Sequence, residues 1–585
     1  MKIRPIVLAI LASAGFGVAA PALAAEAPRG LELAPCKKEG LPPDARCGTY
    51  EVFENRAART GRKIPLQVVV LPAKDTQRLP DPYVYFAGGP GDSSIEEGLF
   101  FAQQLASLRQ KRDVLLVDVR GTGASGGLFC PELQGRQGVQ GFLDNFLPTD
   151  KVRACRDRLK KEVDLSWYTS DAAMDDVEEV RTALGYGKAN LMGGSYGTRA
   201  ALTYLRRHPQ SVRTITLLGV VPPDDRYPLG VARSAQNALD GLIAECEGDA
   251  ACHGAFPQLR QELDAVLRRV TAETVRVELL DPATGEPFEL RMGRAAVAQT
   301  LRYMTYSPSG AALLPLLVHQ AAAGDFAPLA QTARLYGTFM TSTADGFYQS
   351  VTCAEDVAFI RDEEVAAAVA GTTLGDFRIR QQKAACEGWP TRDLGKEIQT
   401  PVVSDVPALL VSGERDPVTP PANGEKVVRT LKNGRHLIVA DAGHSTEGMQ
   451  GNDCLFGVMA AFIEAGTVQG LDTSCVTRMR RPDFELRLGD PAVTLTPANL
   501  ERLAGTYENA ELGLTVRVDV VRNRLRVELQ GNKALLVATS PTRFRIEGFS
   551  VSRAAVFQER EGRIIGLVLT ESGSPDLVMT RTARD

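Results

Sequence analysis

Ser195 lies at the centre of residues 193–197, Gly-Gly-Ser-Tyr-Gly, a G-x-S-x-G pattern that can present a serine nucleophile. Residues 188–192 before it predict a short buried strand, and residues 198–207 after it predict a helix. A strand-to-helix turn this sharp leaves no room for Cβ atoms, which explains the flanking glycines. The helix N-terminus also favours developing negative charge. The pattern alone occurs by chance in many proteins, but this context predicts a catalytic Ser195.

A serine hydroxyl needs a base, which is nearly always a histidine held by a carboxylate. His444 is the histidine that fits, because it follows the predicted strand 436–440 in a loop at the strand's carboxyl end, where open α/β sheets collect their sites. The other four histidines are predicted to have structural roles. His208 caps a helix end, His253 lies in a polar loop, His319 packs within a helix, and His436 begins a strand.

The matching carboxylate is predicted to follow another buried strand, residues 408–413. Asp416 is preferred over Glu414 in the next loop, because Pro417 stiffens the chain and lets a short side chain hold one direction. A helix N-cap or a turn former is the alternative role for Asp416. The resulting order Ser, Asp, His is that of the α/β-hydrolase fold.

An acyl-transfer site also needs donors for an oxyanion. Residues 83–87 predict a strand, and Gly88-Gly89-Pro90-Gly91 follows it as a turn whose glycines let backbone amides converge on an anion. We predict that the amides of Gly89 and Tyr196 form the oxyanion hole.

Residues 87–91, 118–123 and 193–198, with the Asp416 and His444 loops, resemble the α/β-hydrolase peptidases of the proline iminopeptidase and tripeptidyl aminopeptidase group. The likeness is closer to the secreted tripeptidyl aminopeptidase branch and covers roughly residues 35 to 480. It implies a serine exopeptidase that removes residues or short peptides from a free amino terminus. Proline iminopeptidases usually carry His at the position of Ala87 and Trp at the position of Tyr196, which argues against strict proline specificity.

The amino terminus has the pattern of a secretory signal. Lys2 and Arg4 precede an apolar stretch at 6–20 and the small residues Ala22-Leu23-Ala24, so the mature chain is expected to begin at Ala25 in the periplasm or outside the cell. An uncleaved membrane anchor is the alternative, but the apolar stretch is short. The formal charge of −4 provides no basic surface for nucleic acid.

The chain has ten cysteines, an even number that is consistent with disulfide formation after export to an oxidising compartment. Ten allow roughly 945 pairings, so sequence alone does not fix them. Their clustering favours five bridges between neighbours, and similar pairs recur in the secreted branch of the family: Cys36 with Cys47, Cys130 with Cys155, Cys246 with Cys252, Cys353 with Cys386, and Cys454 with Cys475. A zinc site is disfavoured because neither C-x-x-C nor H-E-x-x-H is present. We expect no metal and no cofactor.

Element patterns predict an α/β-hydrolase with a doubly wound sheet, an inserted helical cap and a small all-β domain. The predicted boundaries, in order, are a signal peptide at 1–24, the first part of the core at 25–221, a mostly helical cap at 222–400, the second part of the core at 401–485, and a β domain at 495–585 that looks like the small lipocalin-like domains of some bacterial serine hydrolases.

Glu355 and Asp356 in the cap are candidates for binding the substrate's ammonium group, since they stand beside a probable disulfide at Cys353. The alternative is a structural role, in which the two acids only complement the dipole of a helix. The sequence therefore predicts a secreted serine exopeptidase that acts on peptides with a free N-terminus and inserts into no membrane after signal cleavage. A carboxylesterase with the same triad and a noncatalytic binding protein on the same fold are the alternatives, and the oligomeric state stays open.

Overall fold

The computed structural model describes residues 31–37, 40–134, 139–339, 343–510, 512, 514–529, 531–548, 553–570 and 576–582. The predicted signal peptide at 1–24 lies outside these residues.

The first part of the chain forms seven strands and six α-helices within the described residues. The strands are β1 (Ala34–Pro35), β2 (Arg46–Phe53), β3 (Lys63–Leu71), β4 (Tyr83–Phe86), β5 (Val114–Val117), β6 (Ala189–Gly194) and β7 (Val212–Leu218). The helices are α1 (Ser94–Gln104), α2 (Pro131–Gln134), α3 (Val139–Asp144), α4 (Thr149–Leu159), α5 (Ser170–Ala183) and α6 (Tyr196–Arg207).

The chain between Leu218 and Ala408 is mostly helical, and we call this segment the cap. Its helices are α7 (Val231–Gly248), α8 (Ala250–Ala255), α9 (Leu259–Ala272), α10 (Arg294–Met304), α11 (Pro308–Ala322), α12 (Ala327–Phe339), α13 (Asp345–Glu355), α14 (Asp362–Val369) and α15 (Phe377–Cys386). One antiparallel hairpin interrupts them, formed by β8 (Val275–Leu280) and β9 (Pro287–Met292).

The sheet resumes with β10 (Ala408–Gly413) and β11 (Gly434–Val439), with α16 (Pro421–Val428) between them and α17 (Asn452–Ala465) after them. Its strand order among the described residues is β1-β2-β3-β5-β4-β6-β7-β10-β11. From β5 to β11 all neighbours are parallel, and every residue of β4 and β5 is buried, as expected where helices cover both faces.

The sheet is mixed rather than parallel throughout. β3 pairs antiparallel with both β2 and β5. The physical reason is the connection from β2 to β3, which is too short for a crossover helix and therefore reverses the chain. The α/β-hydrolase prediction itself is confirmed.

The C-terminal residues form a closed antiparallel barrel, as the period-two pattern indicates. The helix α18 (Pro497–Leu503) precedes its strands β12 (Gly505–Asn509), β13 (Leu514–Val521), β14 (Arg524–Leu529), β15 (Asn532–Ala538), β16 (Arg543–Ile546), β17 (Ala554–Arg560), β18 (Arg563–Thr570) and β19 (Leu577–Arg581). Arg522 and Asn523 connect β13 to β14 in a tight hairpin, and both residues have positive φ angles.

All five predicted cysteine pairs are present as disulfides. Within the part of the chain that the structure describes, none of the helices has both the length and the apolar character needed to span a bilayer.

Candidate active site

Ser195 stands between β6 and α6 in a strained backbone conformation, with φ of 53° and ψ of −123°. A non-glycine residue with positive φ is costly and is commonly found at functional turns. The Ser195 amide donates to Leu218 O at 2.8 Å, and the Thr198 hydroxyl donates to Ser195 O at 2.7 Å. These bonds hold the turn in the conformation that exposes a nucleophile.

The two glycines of the motif are required by close backbone contacts. A Cβ on Gly193 would lie 2.1 Å from Gly197 O, and a Cβ on Gly197 would lie 2.0 Å from Phe86 O. The structure therefore explains why only glycine fits at both ends of this turn.

Asp416 and His444 are in contact at the carboxyl ends of β10 and β11. His444 Nδ1 lies 2.7 Å from Asp416 Oδ2. The Asp416 carboxylate is fully buried and accepts three further hydrogen bonds, from the amides of Val418 and Thr419 to Oδ1 at 2.9 and 2.8 Å and from the Thr419 hydroxyl to Oδ2 at 2.6 Å. Burial raises the pKa of Asp416, but the adjacent His444 and these donors outweigh it and lower the pKa. An ionised Asp416 accepts from Nδ1–H and leaves Nε2 of His444 as the basic nitrogen.

The end of β7 contacts both Ser195 and His444. Leu218 O accepts from the Ser195 amide, and Gly219 follows directly. A Cβ on Gly219 would lie 3.1 Å from His444 Cε1 and 3.0 Å from Thr419 Oγ1. The Ser195 turn and the Asp416–His444 pair therefore meet at the carboxyl edge of the sheet, where α/β folds build their sites.

The Gly88–Gly91 turn lies directly against Ser195. A Cβ on Gly88 would be 3.5 Å from Ser195 Cβ, and Gly89 has a φ of 102° that glycine adopts readily. Tyr196 is the first residue of α6, so its amide has no acceptor inside the helix. Among the described residues, neither this amide nor that of Gly89 is paired with an acceptor.

A carboxyl pair, Asp92 and Glu97, supports the same turn. Glu97 Oε2 accepts from the Gly88 amide at 3.2 Å and from the Tyr85 hydroxyl at 2.9 Å, and Asp92 Oδ1 accepts from the Thr343 hydroxyl at 2.8 Å. Burial and the neighbouring Asp92 raise the pKa of Glu97 to about 8. The pair thus shares a proton at neutral pH, and it ties the turn to the sheet on one side and to the cap on the other.

Glu355 and Asp356 lie behind the Ser195 turn, where both carboxylates already have partners. Glu355 accepts from the amide and hydroxyl of Ser170 at 2.7 Å each, and Ser170 Oγ is also 2.7 Å from the Tyr196 hydroxyl. Asp356 forms a 2.7 Å ion pair with Arg199. Burial raises the pKa of both, that of Asp356 to about 7, although Arg199 acts in the opposite direction.

Comparison with known families matches two segments of the chain. Residues 82–242 match the family described as the alpha/beta hydrolase fold, and residues 372–475 match the family described as TAP-like protein. The first segment contains Ser195, and the second contains Asp416 and His444. The chain has the α/β-hydrolase fold.

Several proteins that resemble this chain are peptidases by name. Serine protease Hip1 of Mycobacterium tuberculosis is 25% identical over 491 residues, which cover 76% of this chain and 91% of that protein. Tripeptidyl aminopeptidase of Streptomyces lividans is 23% identical over 493 residues, covering 78% and 88%. Proline iminopeptidase of Neisseria gonorrhoeae is 26% identical over 141 residues, covering 24% and 32%. These relatives support a serine peptidase and confirm the suspected group.

Among solved structures, proline iminopeptidase of Mycobacterium smegmatis aligns with 72% of the hydrolase and 98% of its own chain, at 15% identity and a TM-score of 0.32.

Two site residues of the hydrolase were not predicted from the sequence. Thr419 lies 3.0 Å from His444 Nδ1, and its position three residues after Asp416 in the same loop was the available signal. Tyr306 places its ring centroid 5.2 Å from that of His444, and its carbonyl accepts from the Ser445 amide at 2.8 Å. Nothing in the sequence around Tyr306 marks it, because the contact depends on how the cap packs over the sheet.

The remaining histidines have other contacts. His208 pairs with Asp175 at 2.9 Å, His319 with Glu262 at 2.9 Å, and His436 with the Ser412 hydroxyl at 2.9 Å. Glu414, the acid not chosen, accepts from the Asp441 amide at 3.1 Å.

Proposed function

We propose that this α/β-hydrolase is an exported serine exopeptidase that cleaves peptide bonds near a free N-terminus through an acyl-enzyme. The observation that carries the proposal is the hydrogen bond from His444 Nδ1 to buried Asp416, formed beside the strained Ser195 turn. A buried carboxylate, an imidazole and a partly exposed serine hydroxyl are the three groups that acyl transfer needs.

In this mechanism Ser195 Oγ attacks the scissile carbonyl while His444 Nε2 takes its proton. Asp416 fixes the imidazole orientation and stabilises the imidazolium that forms. The amides of Gly89 and Tyr196 donate to the oxyanion of the tetrahedral intermediate. His444 then returns the proton to the leaving amine, and water attacks the acyl-enzyme by the same route in reverse.

Labelling with a fluorophosphonate probe tests the nucleophile. Wild-type protein should react at Ser195, whereas Ser195→Ala should not react and His444→Ala should react far more slowly. His253→Ala is the matched control, because His253 is exposed on α8 and should leave labelling unchanged. Correctly folded wild-type protein that fails to label would favour the noncatalytic alternative.

Matched substrates separate a peptidase from an esterase with the same triad. We expect hydrolysis of peptidyl naphthylamides at rates comparable to those of acyl nitrophenyl esters. Digestion of a peptide library, read by mass spectrometry, should release residues or short peptides from free N-termini and spare N-acetylated peptides. Ester cleavage alone, or cleavage only at internal bonds, contradicts the exopeptidase proposal.

Recognition of the substrate ammonium by Glu355 and Asp356 stays a prediction. An incoming ammonium would have to approach carboxylates that already hold Ser170 and Arg199. Glu355→Gln and Asp356→Asn should raise KM for free-amine peptides more than for simple esters. Equal effects on both substrates would assign the two acids to support of the Tyr196 and Arg199 contacts alone.

The proposed export to the periplasm or beyond is supported by five disulfides, which persist in oxidising compartments. Fractionation of producing cells should recover a chain that begins at Ala25 outside the cytoplasm. Recovery of an uncleaved chain in the membrane fraction would contradict it.

A further inference from the structure

Two arginines of the cap are buried without a carboxylate partner. Arg302 on α10 and Arg378 on α15 are each only 4% exposed. Among the described residues no acid forms an ion pair with either, whereas the buried guanidiniums of Arg120 and Arg199 are paired with aspartates at 2.7 Å. A buried charge without a counter-charge is costly and needs an explanation.

Neutral aromatic groups surround these two guanidiniums. The Arg302 carbon Cζ lies 5.1 Å from the ring centroid of Tyr306, whose hydroxyl accepts from Nη2. Arg378 lies 4.2 Å from the Phe146 centroid and donates from Nη2 to the hydroxyls of Tyr348 and Tyr227 at 3.3 and 3.5 Å. Phenols accept hydrogen bonds and attract cations, but none of these partners is a carboxylate, so the described residues provide neither arginine with a carboxylate counter-charge.

Each of the two arginines also has a guanidinium nitrogen that donates no hydrogen bond within the described residues. Within the described part of the chain, Arg302 Nε and Arg378 Nη1 are buried with no hydrogen-bond acceptor. The two charges act on one phenol, since Arg378 and Arg302 lower the pKa of Tyr227 against the opposing effect of its burial. We refer to the two arginines and the phenols that they hydrogen-bond, Tyr306 for Arg302 and Tyr227 for Arg378, as one cluster.

This cluster borders the candidate active site. The Tyr306 ring packs against His444, with centroids 5.2 Å apart. Tyr306 and Tyr227 are half-buried and keep some solvent contact, whereas the arginines that they partner are buried. Because the Tyr306 hydroxyl accepts from Arg302, its own hydrogen is available to donate, and no acceptor for it is present in the described residues.

We infer that Arg302 and Arg378, acting with Tyr306 and Tyr227, form a subsite that binds a carboxylate of the substrate next to His444. Phenol and guanidinium donors match a carboxylate, and a partly desolvated cation pair strongly favours an anionic group over its neutral isostere. The inference rests on the proposed peptidase function, and it names the substrate class. The carboxylate is either an acidic side chain or the C-terminus of a short peptide.

Two pairs of matched peptides distinguish these sources. One pair differs by Glu against Gln at a single position, and the other by a C-terminal acid against the C-terminal amide. We expect wild-type kcat/KM to favour the carboxylate by about 10- to 100-fold in one pair, and that pair identifies the source. Absence of a preference in both pairs overturns the inference.

Variants connect the preference to the cluster. Arg302→Gln and Arg378→Gln should reduce kcat/KM for the preferred carboxylate peptide by about 10-fold or more, with its neutral counterpart within about 3-fold of wild type. Tyr306→Phe removes one hydroxyl and retains the packing, and it should reduce the same preference. This variant tests the subsite even where the arginine variants fold poorly. Arg380→Gln is the matched control, because Arg380 is on the same helix and is exposed beside Asp376. Equal losses on both peptides would overturn the subsite.

A binding measurement separates this inference from the proposed function. Ser195→Ala protein should bind the carboxylate peptide more tightly than its amide in calorimetry, and Arg302→Gln should remove the difference. That outcome supports the subsite even if no peptide is hydrolysed. Labelling and peptide cleavage by wild-type protein without carboxylate-dependent binding would retain the proposed function and overturn the subsite.

Discussion

Thr419 and His444 share one oxygen of Asp416: the Thr419 hydroxyl donates to Oδ2 at 2.6 Å, and His444 Nδ1 lies 2.7 Å from the same atom. The Thr419 amide occupies the other carboxylate oxygen at 2.8 Å. Thr419 therefore holds Asp416 from both sides and limits its rotation. Through Asp416 it sets the direction in which the imidazole points.

Thr419→Val should lower kcat without unfolding the protein, because valine retains the shape of threonine and removes the hydroxyl donor. A hydrogen bond to a charged acceptor contributes about 1.5–3 kcal/mol, so we expect a decrease in kcat on the order of 10- to 100-fold. The pKa of Asp416 should also rise, because the Thr419 hydroxyl is one of the donors that lower it. Thr419→Ser retains the donor and is the control; similar losses in both variants would contradict a positioning role.

Asp416→Asn should reduce kcat by about 10⁴-fold with a small change in thermal stability, because an amide can present an N–H to His444 and select the wrong tautomer. The pKa of Asp416 is lower in the folded protein than its unfolded value near 3.8. The stability contributed by the ionised carboxylate is therefore present above pH 3.8 and is lost as the pH falls through the folded-state pKa. Glu414→Gln is the control variant, because Glu414 is the other acidic residue of the same loop. A loss of kcat in Glu414→Gln as large as that in Asp416→Asn would contradict the assignment.

The strands that precede Ser195, Asp416 and His444 could be predicted from the sequence, because periodicity and turn residues are local. Gly193 and Gly197 indicate a sharp turn because they flank Ser195 between a predicted strand and a predicted helix, and the clustering of the cysteines favours bridges between neighbours. The antiparallel pairing of β3 and the partners of Glu355 could not be predicted, because they depend on contacts between distant segments. Arg378 and its hydrogen-bond partner Tyr227 lie 151 residues apart in sequence and meet only in the folded cap.

Gly197→Ala should destabilise the fold severely, because the added Cβ would lie 2.0 Å from Phe86 O, a backbone atom of β4. We expect the free energy of unfolding to fall by about 3 kcal/mol or more, measured by urea denaturation. Gly457→Ala is the control, since a Cβ on that exposed residue of α17 meets no atom within 4 Å. The control should be neutral or stabilising by up to about 1 kcal/mol. Equal stabilities for the two variants would contradict the steric argument.

Between pH 5 and pH 9, the Glu97→Gln variant should lose less stability than the wild-type protein. Burial and the neighbouring Asp92 raise the pKa of Glu97 to about 8, from an unfolded value near 4.5, and the groups that face it are Asp92, the Tyr85 hydroxyl and the Gly88 amide. Between these two values the folded protein retains a proton that the unfolded chain has released. The stability contributed by protonated Glu97 is therefore complete below pH 4.5 and is lost as pH rises through 8.

Wild-type Tm should thus decrease more steeply than that of Glu97→Gln as pH rises from 5 to 9, and wild-type kcat/KM should decline above pH 8 because a second negative charge forms beside the Gly88–Gly89 turn. Glutamine has no proton to lose and retains a carbonyl acceptor for Gly88. Glu96→Gln, an exposed neighbour on α1, should show the wild-type slope. Parallel Tm profiles for wild type and Glu97→Gln would mean that the carboxyl pair does not retain its proton, and the alkaline decline would then require another titrating group.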